Sequence, residues 1–382
     1  MSATTKIEWT DRTWNPVTGC TKVSPGCDNC YAETFAERWR GTPGHPYEHG
    51  FDIQLRPERL DQPMHWRNPS RVFVNSMSDL FHDAVPDEHI VAVFARMWWS
   101  PQHTFQVLTK RHGRMRSLMP RIEERLREME RNLHLVHVPT PLRWPLPNVW
   151  LGVSVENQTW ADTRIPALLD TPVAVRFLSC EPLLGPIDLT RISPGSRQQP
   201  EMVYDALGQR YGVPGRWQAK ATARISWVIC GGESGPRARP MHPDWARSLR
   251  DQCEAAGTPF FLKQLGEWQP LGPLYGDLED TDDGHMEAVH LEAVEGKRVI
   301  QLESNGYIAE GHQPADSRTW LMARVGKKHA GRELDGRVHD AFPEPPRDDF
   351  RESVEAGLTE DLDAFSRRLD AATTTPKEGE HA

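Results

Sequence analysis

The sequence predicts an α/β protein built on a partial or full (β/α) barrel. Three observations predict this class: short apolar runs recur along the chain, helix-like segments separate them, and most runs end in small or polar residues. Such runs are typical of parallel strands buried on both faces, and their alternation with helices is typical of β-α units. An open doubly wound sheet fits the same alternation. The polar strand ends favour the barrel, where functional groups come from the C-terminal ends of several strands.

The predicted elements follow one another through the first two-thirds of the chain. A short first strand is predicted at residues 6–10, ahead of a helix that begins near Tyr31. Amphipathic segments at 86–100 and 242–257 are predicted helices, and a glycine ends the second one. Six further strands are predicted, at residues 71–76, 103–109, 148–155, 173–179, 225–230 and 258–264.

The domain organisation is predicted from where this alternation holds and where it breaks. Residues 1–270 form the predicted barrel, with insertions near 113–147 and 190–224. The first insertion contains a charged, exposed helix, and the second is a loop excursion rich in Pro, Gly, Gln and Arg. Residues 271–343 are a C-terminal extension with an acidic loop and small β elements, among them a hairpin in "KRVIQLESNGYI". Residues 344–382 form a charged tail that we expect to be mobile.

Charge and hydropathy restrict the class of partner. The net charge is −9, of which −6 falls after residue 340, so the rest of the chain is close to neutral. This balance argues against a surface that coats duplex nucleic acid. No apolar run approaches the ~20 residues that span a bilayer, and the N-terminus lacks the features of a signal peptide. We therefore expect a soluble cytoplasmic protein with no membrane partner, whose six cysteines are thiols or metal ligands.

Three cysteines lie close together near the start of the chain. Cys20, Cys27 and Cys30 form a C-x6-C-x2-C pattern between the predicted first strand and the helix that follows it. A structural zinc site needs four protein ligands, and His45 or His49 of "GHPYEH" would be the candidates for the fourth. A [4Fe–4S] cluster held by three thiolates instead keeps one iron open. An open iron can bind S-adenosylmethionine, whose reductive cleavage gives a 5′-deoxyadenosyl radical.

Several stretches together resemble the phage-type three-Cys-motif proteins, a family related to the radical S-adenosylmethionine enzymes. The matching stretches cover about two-thirds of the chain and include "TWNPVTGCTKVSPGCDNCYAE", "VFVNSMSDLFH", "QVLTKR", "WLGVSVEN", "RFLSCEPLLGPI", "CGGESGPRARPMHPDW" and "FFLKQLGEW". The resemblance implies a barrel of the radical S-adenosylmethionine type, a [4Fe–4S] cluster on the three cysteines, and S-adenosylmethionine as the second cofactor. An electron donor such as flavodoxin or ferredoxin would then be a partner.

The resemblance also implies which strand ends hold S-adenosylmethionine. Asp79 would receive the methionine ammonium beside Ser76 and Ser78, with a helix or turn cap as its alternative role. Residues after the fourth predicted strand would bind the ribose hydroxyls; they are Ser154, Glu156 and Asn157. Asn157 fits a helix N-cap equally well.

Other strand ends carry candidate catalytic and binding groups. Lys110 and Arg111, after the third predicted strand, are candidates to bind the carboxylate of the methionine or a substrate phosphate, with a solvated pair of charges as the alternative. Cys180 and Cys230 close two strands, where they would donate a hydrogen atom to a substrate radical, bind a second metal, or pack inertly. Each is followed by a candidate acid or base, Glu181 and Glu233 respectively. The glycines of "GGESG", Gly231 and Gly232, would let backbone N–H groups approach a ligand.

The leading hypothesis is therefore a radical S-adenosylmethionine-type enzyme that modifies or repairs a nucleic acid or a nucleotide. Three aromatic side chains near the cysteines, Trp9, Trp14 and Tyr31, would stack on a base. Two alternatives use the same residues. One is a zinc-stabilised nucleic-acid-binding module without catalysis, and the other is an iron–sulfur protein with a sensing or binding role.

Overall fold

Seven strands pair in one all-parallel sheet in the computed structural model, which describes residues 5–132, 141–193, 202–213, 216–220, 223–273, 296–309 and 318–344. The strands are β1 (Arg12–Trp14), β2 (Val17–Thr18), β3 (Gln54–Leu55), β4 (Arg71–Val74), β5 (Thr104–Thr109), β6 (Val149–Ser154), β7 (Val175–Cys180), β8 (Val203–Asp205), β9 (Arg210–Val213), β10 (Arg216–Lys220), β11 (Trp227–Gly231), β12 (Phe260–Gln264), β13 (Trp268–Pro273), β14 (Val299–Leu302), β15 (Ile308–Ala309), β16 (Trp320–Arg324), β17 (Glu333–Leu334) and β18 (Arg337–Val338). The helices are α1 (Tyr31–Glu37), α2 (Asp87–Trp98), α3 (His112–Asn132), α4 (Gln158–Leu169), α5 (Pro243–Ala256) and α6 (Lys327–Ala330).

The main sheet confirms the predicted fold class as a half-barrel. Its strand order is β1-β4-β5-β6-β7-β11-β12, and every neighbouring pair is parallel. The order follows the chain, so successive crossovers wind in the same direction and carry their helices to the same face. The curled sheet is accompanied by small antiparallel sheets, one of β8–β10 and one of β13–β16.

Alternation along the strands separates two cores, one on each face of the sheet. The larger core lies between the sheet and the helices and contains Val72, Val74 and Leu151 among many others. The residues between these positions point to the inner face, where Phe73, Trp150 and others form an aromatic cluster. Aromatic side chains thus fill part of the half-barrel's interior.

Trp227 lies at the centre of the inner cluster. Its ring lies 5.9–6.2 Å from the rings of four other buried aromatic residues, Trp9, Trp150, Phe177 and Phe261. Its Nε1–H donates to the carbonyl oxygen of Ala341 at 2.9 Å. The C-terminal part of the described chain is thereby attached to the interior of the half-barrel.

The first predicted strand is wrong. Residues 6–10 contain no strand, and β1 lies just after them at Arg12–Trp14. Ile7 and Trp9 alternate with polar residues because both contact the inner aromatic cluster, Trp9 from within a turn. Trp14, by contrast, is fully buried in the helix-facing core, and β1 pairs with β4.

The two predicted insertions differ from expectation, whereas the extension contains the predicted small β elements. Helix α3 is not an exposed insertion but the crossover from β5 to β6, and it buries Met115, Leu118 and Ile122. The predicted loop excursion contains β8–β10, and the predicted hairpin is present as β14 and β15. The acidic loop and the tail from residue 345 lie outside the described residues, and the domain boundaries stay a prediction. Within the described ranges, no helix combines the length and apolar character that crossing a membrane requires.

Candidate functional site

A cavity of about 520 Å³ lies at the C-terminal edge of the parallel sheet. Side chains from successive strand ends line it, as the carboxyl ends of parallel strands share one edge. The lining residues from these ends include Ser76, Asp79, Thr109, Lys110, Arg111, Ser154, Ser179, Glu181, Gly232, Glu233, Lys263 and Gln264. The prediction that polar strand ends converge is confirmed for this set.

The three clustered cysteines line the same cavity. Cys20, Cys27 and Cys30 belong to the segment between β2 and α1, which includes a 3₁₀ turn at Pro25–Cys27. Cys30 occupies the N-cap position of α1. The guanidinium Nη1 of Arg111 lies 3.4 Å from the Sγ of Cys20. We call residues 20–30 the cysteine loop.

Burial affects the ionisation of Cys20 and Cys30. It raises the pKa of Cys20 to about 11; the nearby Asp79 carboxylate adds to this rise, and Arg111 opposes it. Burial also raises the pKa of Cys30. Metal ligation requires thiolates, so binding of a metal here would displace protons.

The fourth ligand expected for a zinc site is not brought to the cysteines. Neither His45 nor His49 is among the residues lining the cavity in the described structure. The ring of His45 instead stacks on Trp39 at 4.2 Å, and its Nδ1 accepts a hydrogen bond from the Tyr47 backbone. Within the described parts of the chain, no three His, Cys, Asp or Glu residues converge closely enough to hold a single metal ion.

A buried carboxylate anchors the first half of the cysteine loop. Glu156, which follows β6, accepts hydrogen bonds from Ser24 Oγ at 2.6 Å, Lys110 Nζ at 2.7 Å and Arg164 Nη1 at 2.9 Å. Glu156 and Arg164 are fully buried. Burial alone would raise the pKa of Glu156, but the charges of Lys110 and Arg164 outweigh it and lower that pKa.

The loop approaches Glu156 so closely that one position requires glycine. A Cβ atom on Gly26 would lie 2.4 Å from Glu156 Oε1. Any side chain there would push the loop away from the carboxylate. The backbone of the cysteine loop is therefore packed directly against the end of β6.

A second carboxylate anchors the other half of the cysteine loop. Glu233 accepts from Asn29 Nδ2 at 3.0 Å and from Arg239 at 2.7 and 2.9 Å. Arg239 also donates to the Pro25 carbonyl at 2.7 Å and pairs with Asp28 at 3.2 Å. Burial alone would raise the pKa of Glu233, but the hydrogen bonds from Arg239 and Asn29 outweigh it and lower that pKa. Both halves of the loop are thus tied to residues that follow strands of the half-barrel.

Asp79 joins two neighbouring strand ends. Its Oδ1 accepts from Thr109 Oγ1 at 2.7 Å and from the Phe81 backbone at 3.0 Å. Its Oδ2 accepts from the Lys110 backbone at 2.9 Å and from Arg111 Nη1 at 3.3 Å. These four bonds use the carboxylate's lone-pair sites, so Asp79 acts as a turn cap and a brace between β4 and β5.

The remaining predicted residues divide between the cavity and its surroundings. Ser76, Ser78, Ser154 and Gly232 line the cavity, whereas Gly231 and Glu156 are not among its lining residues. Asn157 lies outside it as well. Its Oδ1 accepts from the Trp160 backbone at 3.3 Å, so it is the N-cap of α4.

Cys180 and Cys230 do not point into the cavity, and the expected position of their side chains at the barrel mouth is wrong. Both belong to the helix-facing core, are fully buried, and are register partners on β7 and β11. Side chains alternate along a strand, so the inner face carries Ser179 instead. Burial raises the pKa of both thiols, which is typical of inert cysteines.

Sequence reasoning missed Lys263, which lines the cavity from β12. Its Nζ lies 2.8 Å from Glu181 Oε1, which also accepts from Gln264 Nε2 at 3.1 Å. Among the described residues, Glu181 Oε2 accepts no hydrogen bond. A signal was present in "FFLKQ", since Lys263 lies two residues after Phe261 and therefore shares its inner face.

The fold and the site define an α/β half-barrel protein with a cysteine-lined cavity at the C-terminal edge of its sheet. A family model described as "Protein of unknown function (DUF5131)" matches residues 4–343, and the chain belongs to this family. Searches of curated proteins and of solved structures found no match.

Proposed function

We propose that the protein is a radical S-adenosylmethionine-type enzyme of the phage three-Cys-motif group. The observation that carries the proposal is the joint position of Cys20, Cys27 and Cys30. All three line one cavity at the C-terminal edge of a half-barrel, where enzymes with this type of sheet place their functional groups.

The donor set fits an iron–sulfur cluster better than a single ion. A zinc ion binds its ligands at about 2.0–2.3 Å, so all of them must converge on one point. A [4Fe–4S] cluster distributes its thiolates over different irons, which suits three thiols that share a cavity. Arg111, 3.4 Å from Cys20 Sγ, would stabilise the thiolate form of that ligand.

When bound, a [4Fe–4S] cluster and S-adenosylmethionine would supply reductive C–S cleavage and hydrogen-atom abstraction from the substrate, with the electron coming from a donor such as reduced flavodoxin or ferredoxin. The chain's own residues position these parts. Glu156 and Glu233 hold the cysteine loop against two strand ends. Ser76, Ser78 and Ser154 line the cavity. The hydroxyls of Ser76 and Ser78 already donate to Asn15 Oδ1 and to the Val17 carbonyl oxygen, so toward a ligand they would act as acceptors.

The acid–base and charged roles follow from which groups in the cavity still have a hydrogen-bond donor or acceptor that no protein group uses. Asp79 uses both of its oxygens on protein donors, so it supports the site rather than receiving the methionine ammonium. Glu181 keeps Oε2 available and is the better candidate for an ammonium or a proton. Lys110 retains donor capacity beyond its bond to Glu156 for an anionic group. The substrate we propose is a nucleic acid or a nucleotide.

The test is cleavage of S-adenosylmethionine by anaerobically reconstituted protein. With dithionite as reductant, we expect 5′-deoxyadenosine from the wild type and from Cys253→Ala, whose thiol is buried in α5 away from the cavity. We expect none from Cys30→Ala. Full cluster assembly without any 5′-deoxyadenosine would instead identify an iron–sulfur protein with a sensing or binding role. A colourless protein with one bound zinc would reject both.

A further inference from the structure

Several buried polar groups around the cavity have no hydrogen-bond partner among the described residues. Both polar atoms of the Asn75 carboxamide, the Nε1 of Trp9 and the Oε1 of Gln264 are buried and unpaired. All three residues line the cavity, and each is at least nine-tenths buried. Buried polar groups are nearly always paired in native proteins. We therefore expect a ligand in the cavity to form hydrogen bonds with these atoms.

Asn75 is the most informative member of this set. It follows β4 directly, with a backbone φ of 60°, a left-handed conformation that asparagine tolerates better than most residues. Its backbone N–H donates to Trp14 at 2.7 Å, and its carbonyl oxygen accepts from Ser78. The backbone is therefore fully engaged while the carboxamide, a donor and an acceptor side by side, is left unpaired.

The other groups define the shape of the ligand. Trp9 packs against Phe73 with ring centroids 4.6 Å apart, and both rings line the cavity together with Ile7 and Leu108. Gln264 donates to Glu181 and to the Gly232 carbonyl, which leaves its Oε1 as an acceptor. The unpaired set thus offers donors and acceptors beside a flat apolar wall.

We propose that this cavity binds a nucleobase whose donor–acceptor edge pairs with the carboxamide of Asn75 beside Trp9. A carboxamide forms two hydrogen bonds with the edge of a base, and aromatic walls suit planar rings of any base. This inference deepens the proposed function by naming the substrate group. It rests on that proposal for the reaction, whereas base binding itself needs no cluster.

The adenine of S-adenosylmethionine has the same chemistry as a substrate base, so the experiment must separate the two sources. Binding of the four common nucleoside 5′-monophosphates is measured by calorimetry on the full chain, both metal-free and reconstituted, with ribose 5-phosphate as the baseless probe. The measurements are repeated with saturating S-adenosylmethionine. We expect at least one nucleotide to bind in all arms and ribose 5-phosphate not to bind.

Matched variants test the assigned residues. Asn75→Asp keeps the size and the backbone tolerance but removes the donor, and we expect binding roughly 5- to 150-fold weaker. Trp9→Phe keeps a ring but removes the N–H, and we expect a loss of about 2- to 12-fold. Asn68→Asp, an exposed position outside the cavity, carries the same charge change and should bind like the wild type. Circular dichroism confirms that each variant is folded.

Three outcomes would overturn the inference. One is that no nucleotide binds, and another is that S-adenosylmethionine displaces the nucleotide, which would assign Asn75 to the cofactor. The third is that folded Asn75→Asp and Trp9→Phe both bind like the wild type. Nucleotide binding by a protein that assembles no cluster would support this inference while rejecting the proposed enzyme. Cluster assembly without nucleotide binding would reject this inference and leave the proposed enzyme standing.

Discussion

Replacing Glu156 with glutamine tests how the half-barrel holds its cysteine loop. The carboxylate is fully buried and accepts from Ser24, Lys110 and Arg164, at 2.6, 2.7 and 2.9 Å. In Glu156→Gln, an amide N–H₂ group replaces one carboxylate oxygen, so a donor then faces another donor. The buried guanidinium of Arg164 also loses its counter-charge. Removing one partner of a buried ion pair costs about 3–5 kcal/mol. We expect a loss of that size in the free energy of unfolding.

The assay is urea unfolding followed by tryptophan fluorescence. Glu123→Gln is the matched control, because Glu123 pairs with Arg127 on the partly exposed face of α3, and we expect a change within about 0.5 kcal/mol. Arg164→Met added to Glu156→Gln removes the unpaired charge and should restore part of the lost stability. A Glu156→Gln protein within 1 kcal/mol of the wild type would show that this network does not hold the loop.

Three further predictions concern other parts of the fold. Arg247 and Arg250 lower the pKa of Asp335 to about 2 from 3.8, so its carboxylate stabilises the fold above about pH 4 and loses this effect as the pH falls towards 2. The pKa shift corresponds to at most about 2.5 kcal/mol, and because Asp335 is partly exposed we expect a stabilisation of only about 1 kcal/mol. The melting temperatures of Asp335→Asn and the wild type should therefore differ at pH 7 and converge at pH 2. An equal difference in melting temperature at both pH values would contradict this. Trp227→Ala should destabilise the inner aromatic cluster by about 3–5 kcal/mol in urea unfolding, whereas a loss below 1 kcal/mol would mean that the cluster contributes little. Gly257 ends α5 with φ 63°, so Gly257→Ala should lower the free energy of unfolding by about 1 kcal/mol and Gly257→Asn by less. Equal losses in the two variants would show that the left-handed backbone conformation is not the cause.

The strands of the half-barrel were predictable from local pattern. The runs that become β4, β5 and β6 are short, apolar and followed by polar residues, and each lies within two residues of its predicted position. Burial on both faces of a parallel sheet leaves this signature in the sequence itself. The exception is the first predicted strand, at residues 6–10. Trp9 is buried there although it lies in a turn, so the alternation of apolar and polar residues resembles that of a strand.

The candidate site was predictable only in part. Convergence of the strand ends follows from parallel topology, and this brought Glu181, Glu233 and the three cysteines to one cavity. The face of each side chain depends on strand register, and a one-residue shift separates the cavity residue Ser179 from the core residue Cys180. The buried pair of Glu156 and Arg164 and the unpaired carboxamide of Asn75 depend on tertiary contacts that no local pattern encodes.

The most direct test of the account is the metal content and optical spectrum of anaerobically purified protein. We predict a brown protein with about four irons per chain, whose iron is lost in Cys20→Ala, Cys27→Ala and Cys30→Ala and retained in Cys253→Ala. A colourless protein that holds one zinc, or iron retained in all three loop variants, would contradict it.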